Sequence, residues 1–319
     1  MEPTAGENIH LCHYFVLLLD IMGQQEQLEK WSRLPPDGSV TPEMTEGIRR
    51  SLGDVYRLRQ GFRQFYESAL RAAEQCTPMS SNALRIGAGP DRERYKAIAA
   101  PEIKLLHFSD IFIAYAPAGV GPGKDLNIKA LYAMLGSVCG LIPSFLAGRI
   151  PLRGAVCIGA GTETEEIGFY GPALSEAHRL ESGVADYPRI VLSDQLRDLV
   201  QSGLAEQTTV AEQATDVEEY LRILFGLCNS LLAQDTDGRT IVDYLGHGSR
   251  ELLKNSANLD SAQHGCVARA YEFVTREAER LRIAELTGGE PREPPRTSPA
   301  KKLLQLKGYF DRWIDAWRK

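Results

Sequence analysis

The stretch "YFVLLLDIMGQ", residues 14–24, decides how the chain is read. From Tyr14 to Leu19 it is apolar without alternation, the pattern of a strand buried on both faces near the centre of a sheet. The run ends in a carboxylate, Asp20, and an ionised group at the margin of a core needs a partner or a ligand.

The chain has 319 residues, of which 43% are hydrophobic. That is enough for a sizeable core, in one elaborated domain or two modest ones. A net charge of -6 and a pI near 5.6 argue against a protein that coats nucleic acid or an anionic membrane, while leaving room for a local basic pocket. The N-terminus "MEPTAGENIH" has no features of a leader, and no charge-free apolar stretch is expected to reach the roughly 18–20 residues that cross a bilayer. A cytoplasmic protein is the expectation. The six cysteines are widely spaced without a C-x-x-C pair, so neither a disulfide framework nor a zinc site is expected.

Working outward from the first strand, residues 41–76 carry apolar residues at three- and four-residue intervals, starting at Thr41-Pro42-Glu43, and read as one long amphipathic helix or two. "GAGPDRERYKAIAAP" reads as a turn-rich segment. "EIKLLHFSDIFIAYAP" reads as a hairpin with Asp110 at or near its turn, and "AGVGPGKDLN" as a loop. An apolar helix follows, then the strands "LRGAVCIGAG" and "EEIGFYG", the helix "PALSEAHRLESG", and the strand "PRIVLSD" leading into a further helix. This order predicts an α+β fold, a mostly antiparallel sheet with helices packed on it. Residues 1–205 form the expected main domain, with its helical insertion near 41–76. Residues 206–286 form a C-terminal extension of helix, hairpin and helix, 287–300 a linker, and 301–319 a final amphipathic helix.

Asp20 and Asp110 each end an apolar strand. On neighbouring strands their carboxylates converge and repel, and a hard divalent cation relieves this. The same spacing also fits two acids that each merely cap an element. Ser175 and Arg179, four residues apart on one helix face, can hold a ribose or phosphate oxygen, although such a pair by itself is more often a solvated face. "AGVGPGKD" is not a phosphate-binding P-loop, since Ala118 stands where the first glycine belongs and an aspartate follows Lys124. His107 and His178 lack the partners of a metal or Ser/His/Asp site.

Taken in order, "FVLLLDIMG", "HFSDIFIAY", "LRGAVCIGAG" and "FYGPALSEAHRLES" resemble the class III nucleotidyl cyclase domain over about residues 12–195. The last motif meets the family pattern G-x-x-[VL]-N-x-A-x-R-[ML]-E except at the asparagine. The resemblance implies two Mn²⁺ or Mg²⁺ ions held by Asp20, Asp110 and the backbone carbonyl of Ile21. It implies a transition-state arginine at Arg179, and Ser175 in place of the ribose-orienting asparagine. It further implies a homodimer whose composite sites join the aspartates of one protomer to the arginine of the other.

Purine cyclases of this family carry polar base-reading residues at the positions of Leu106 and Gly168, and here both lack a polar side chain. With the helical insertion and the C-terminal extension, the chain looks most like the bacterial pyrimidine cyclases of anti-phage (Pycsar) systems. These make cyclic UMP or cyclic CMP from UTP or CTP to switch on a separate effector protein. Tyr14, Tyr56 and Tyr170 are candidates for shaping the base pocket. A silent nucleotide-binding or regulatory module, and a purine cyclase with unusual base contacts, are the competing readings.

Overall fold

The computed structural model describes residues 10–30, 39–76, 90–99, 101–120, 125–164, 166–208, 215–254, 260–286 and 299–318. Strand β1 (Cys12–Ile21) is buried from Tyr14 to Leu19, and its alternate side chains enter two separate clusters. Phe15, Leu17, Leu19 and Ile21 point to one face, and Tyr14, Val16 and Leu18 to the other.

Antiparallel neighbours flank β1: β3 (Ile111–Pro117), hairpin partner of β2 (Lys104–Phe108), and β6 (Leu152–Thr164). The sheet order is β2-β3-β1-β6, continuing through β8 (Ile190–Leu192) and β10 (Thr240–Val242) to β9 (Leu232–Gln234), with β7 (Gly168–Tyr170) on β6. Only the β6–β8 pairing is parallel among the described strands. Helices α1 (Gln24–Glu29), α2 (Pro42–Cys76) and α3 (Pro90–Ala99) connect β1 to β2, and α4 (Ile128–Ala147) connects β3 to β6. The first four strands of that order with their crossovers make a double split β-α-β unit.

One face of the sheet is thickly covered. α2 packs on α4, and α6 (Asp194–Thr208), α7 (Asp216–Ser230), α8 (His247–Lys254), α9 (Asp260–Leu286) and α10 (Pro299–Trp317) add buried side chains to the same cluster. The other face carries α5 (Pro172–Gly183), which buries Ala173, Ala177 and Leu180 against Val16, Leu18 and Cys157.

Several expectations change. The turn-rich reading of residues 87–101 gives way to α3 over Pro90–Ala99, whose Tyr95 meets Tyr220 at 5.3 Å and whose Arg94 makes a two-pronged pair with Asp125. Its apolar residues are too sparse to show a period. Helices α1 and α8 went unread for the same reason, each being short. The loop expected at 118–127 holds a two-residue ladder, β4 (Gly119–Val120) with β5 (Asp125–Leu126). The apolar run in α4 is longer than expected, long and apolar enough to cross a membrane, but 89% of it is buried inside the protein, as in a core helix.

The C-terminal helix folds back onto the core. Trp317 Nε1 donates to the Leu245 carbonyl at 2.8 Å, and the Tyr309 hydroxyl donates to Asp243 at 2.6 Å while accepting from Leu245 N–H at 3.0 Å. The linker expected at 287–300 lies, as far as residue 298, outside the described residues. Because Asp243 is 7% exposed, losing this donor leaves a buried carboxylate one hydrogen bond short. Tyr309→Phe is therefore expected to lower stability by about 1–3 kcal/mol, read as a lower urea midpoint with unchanged slope.

Candidate functional site

Side-chain alternation turns Asp20 toward the α5 face, where register sets it opposite Ile111 on β3 and Arg153 on β6. Arg153 Nε donates to Asp20 Oδ2 at 2.9 Å and lies 2.7 Å from Oε1 of Glu181, which α5 delivers to the same spot. Glu181 is 3% exposed, and its Oε1 accepts no hydrogen bond because the Arg153 N–H is directed at Asp20. Burial pushes the Glu181 carboxyl up to about 7, the Arg153 cation opposes this, and the charges of Asp20 and Asp110 add to it.

Asp110 occupies the turn of the β2–β3 hairpin after Ser109, whose φ of 56° lies in the left-handed region. Register pairs Ile111 with Asp20, so the hairpin turn that carries Asp110 lies next to the end of β1. Ile21, the last residue of β1, buries its side chain on the opposite face, leaving its backbone carbonyl as the group it can offer. Two carboxylates and a main-chain carbonyl are an all-oxygen set, suited to a hard cation that keeps other positions for water and phosphate oxygens. Among the described residues no group of three or more His, Cys, Asp or Glu is arranged to hold a metal ion.

Ser175 and Arg179 lie on a different flank of α5. At about 100° per residue, Arg179 and Glu181 point about 160° apart, whereas Ser175 and Arg179 differ by about 40°. Ser175 and Arg179 line a cleft of about 690 Å³ with His13, Ser193 and Asp194. Arg179 is 64% exposed and paired with Glu176 at 2.7 Å, which pulls the Glu176 carboxyl below its ordinary value. In one chain the acids and the Ser175–Arg179 pair therefore face apart.

The two positions compared with purine readers do meet. A Cβ on Gly168, where φ is +79°, would lie 3.9 Å from both Leu106 δ-carbons. Tyr170 is 69% exposed on β7. Tyr14 is a core residue, 6% exposed and edge-on to Phe169 at 4.9 Å, with its hydroxyl accepting from Cys12. Tyr56, 57% exposed on α2, belongs to the helical layer on the other side of the sheet and is not brought to the other candidates. His107 packs edge-on to Phe112, and His178 is exposed.

Sequence reading missed Arg153 and Glu181. Arg153 faces Asp20 only once strand register is known. Glu181 had a signal, since it closes the "SEAHRLE" motif two residues after Arg179. Compared with known proteins, the sequence matches no protein-family model and no curated sequence.

Glu181 holds its proton to higher pH in the folded chain than in the unfolded one, so stability falls as pH rises from about 4.5 to about 7. With metal chelated, Glu181→Gln is expected to flatten that decline, which is worth at most about 3 kcal/mol. Urea unfolding across pH 4.5–8 measures it.

Proposed function

We propose that the protein is a uridylate cyclase, converting UTP to 3′,5′-cyclic UMP and diphosphate in the cytoplasm, as a messenger in bacterial anti-phage defence read by a separate effector. The observation that carries this reading is that register sets Asp20, at the end of β1, opposite Ile111, the residue after Asp110, with Glu181 joined to Asp20 through Arg153. The double split β-α-β sheet supports it as well.

In this reading Asp20, Asp110 and the Ile21 carbonyl hold Mn²⁺ or Mg²⁺, which when bound neutralises triphosphate charge and acidifies the ribose 3′-hydroxyl. The 3′-oxygen attacks the α-phosphorus, the bond to diphosphate breaks, and the hydroxyl proton leaves to solvent. Arg179 exchanges Glu176 for the α-phosphoryl oxygens, where charge develops. Ser175 offers one hydroxyl to the ribose, fewer hydrogen bonds than an asparagine amide can make. Arg153 keeps Asp20 and Glu181 from repelling one another before substrate arrives.

Because Ser175 and Arg179 face away from the acids of their own chain, the working site is composite and the active species is a homodimer. Leu106 and Gly168 offer no side-chain donor or acceptor to a purine edge, which favours the smaller bases of UTP and CTP. A silent nucleotide-binding module is the second reading, favoured by the ion pairs that already satisfy Asp20 and Arg179.

Incubation with each of the four ribonucleoside triphosphates and Mn²⁺, with products resolved by chromatography, separates these readings. Cyclic UMP is expected from UTP alone, falling at least about 100-fold in Asp20→Ala and in Arg179→Ala. An equal mixture of the two variants, allowed to exchange subunits, should regain about a quarter of wild-type activity from one intact site per mixed dimer. Nucleotide binding without diphosphate release supports the module.

A further inference from the structure

A second cleft, of about 350 Å³, opens between α2 and the edge strand β2, on the face of the sheet away from Asp20. Its size falls within the range of small-molecule sites. Phe62, Leu70, Ile103 and Leu105 give it apolar walls, and Arg59 and Arg63, one helical turn apart, line the same side.

Arg59 is half-buried, and neither arginine has an ion-pair partner among the described residues. Beside Arg59, His107 is held below its ordinary pKa, first by burial and then by that cation. Tyr66, which also lines the cleft, is 5% exposed, and its buried hydroxyl has no hydrogen-bond partner among the described residues. Glu67 lies exposed at the mouth and does not pair with Arg63.

A half-buried guanidinium without a counter-charge and a buried hydroxyl without a partner both cost stability. Here both costs fall on one cleft, and a single kind of ligand relieves them. We propose that this cleft binds a small molecule carrying a carboxylate or phosphate on a flat apolar body. The anion sits between Arg59 and Arg63, the Tyr66 hydroxyl donates to it, and the body lies on the half-buried Leu70, Ile103 and Leu105. This site is separate from the one holding Asp20 and from the Ser175–Arg179 cleft. Leu105 of the hairpin forms part of the cleft wall, and Phe62 packs on Phe112 at 4.8 Å, two residues beyond Asp110.

Saturation-transfer NMR on the full chain with metal chelated tests this, using phenyl phosphate, benzoate, inorganic phosphate and benzyl alcohol as probes. Saturable binding of phenyl phosphate or benzoate is expected, at least about tenfold tighter than inorganic phosphate or benzyl alcohol. Which of the two binds tighter identifies the anion. Binding should fall at least about tenfold in the Arg59→Met/Arg63→Met double variant and several-fold in Tyr66→Phe, and be partly kept in Arg59→Lys/Arg63→Lys. It should be unchanged in Asp20→Asn and in Arg179→Met, whereas loss in Arg179→Met alone would assign the anion to the other cleft. The proposal is overturned if neither aromatic anion binds saturably, if inorganic phosphate binds as tightly as phenyl phosphate, or if the double Met variant, folded by circular dichroism, binds as wild type.

Discussion

The burial of β1 on both faces is the constraint from which the remaining structure follows. A strand with no polar face must have strands on both edges and layers above and below, and β3, β6, the α2–α4 layer and α5 meet those four requirements. Each fully buried Leu or Phe of the strand contributes about 1.5–3 kcal/mol, so register is strongly specified: a slip of one residue would exchange the two clusters. The same register carries Asp20 to the α5 face and sets it across from Arg153. The geometry of the candidate site is thus a consequence of how the core is packed.

At the end of β1 the balance becomes electrostatic. The Arg153 guanidinium touches both Asp20 and Glu181 at the margin of the core, and Asp110 lies in the adjoining hairpin turn. Burial raises the affinity of Glu181 for a proton, Arg153 opposes this, and the neighbouring Asp20 adds to it. The buried Arg189–Asp235 pair behaves differently: Arg189 is also bonded to Val184, Asp186 and Asp237, and ties the start of β8 to the β9–β10 hairpin. Comparing the two sets, a fully enclosed arginine with several acceptors serves structure, while the under-satisfied carboxylate beside Asp20 marks where added positive charge is welcome.

The thickness of the two layers also divides the protein. Among the described residues the α2–α4 face is built up by six further helices, α3 and α6 to α10, the last locked by Tyr309 and Trp317. The α5 face carries one helix whose opposite flanks present Glu181 and the Ser175–Arg179 pair. A single helix cannot bring both flanks to one place, so within one chain Glu181 and the Ser175–Arg179 pair serve different surroundings.

What the sequence determined by itself was local and periodic: the buried strand ending in Asp20, the hairpin turning at Asp110, the long helix from Pro42, and the helix face shared by Ser175 and Arg179. Each is a statement about neighbours within a few residues, where helix and strand periods speak directly. α3 stayed hidden because its two buried contacts, through Tyr95 and Ile98, are too few to make a period. The tertiary structure alone decided that Arg153 and Glu181 belong with Asp20, that Leu106 touches Gly168, that Tyr14 is core and Tyr56 lies on the far layer. It also decided that Arg59, Arg63 and Tyr66 share a cleft with β2. These contacts depend on strand register and on the angle at which helices settle on the sheet, both set by packing summed over the whole core.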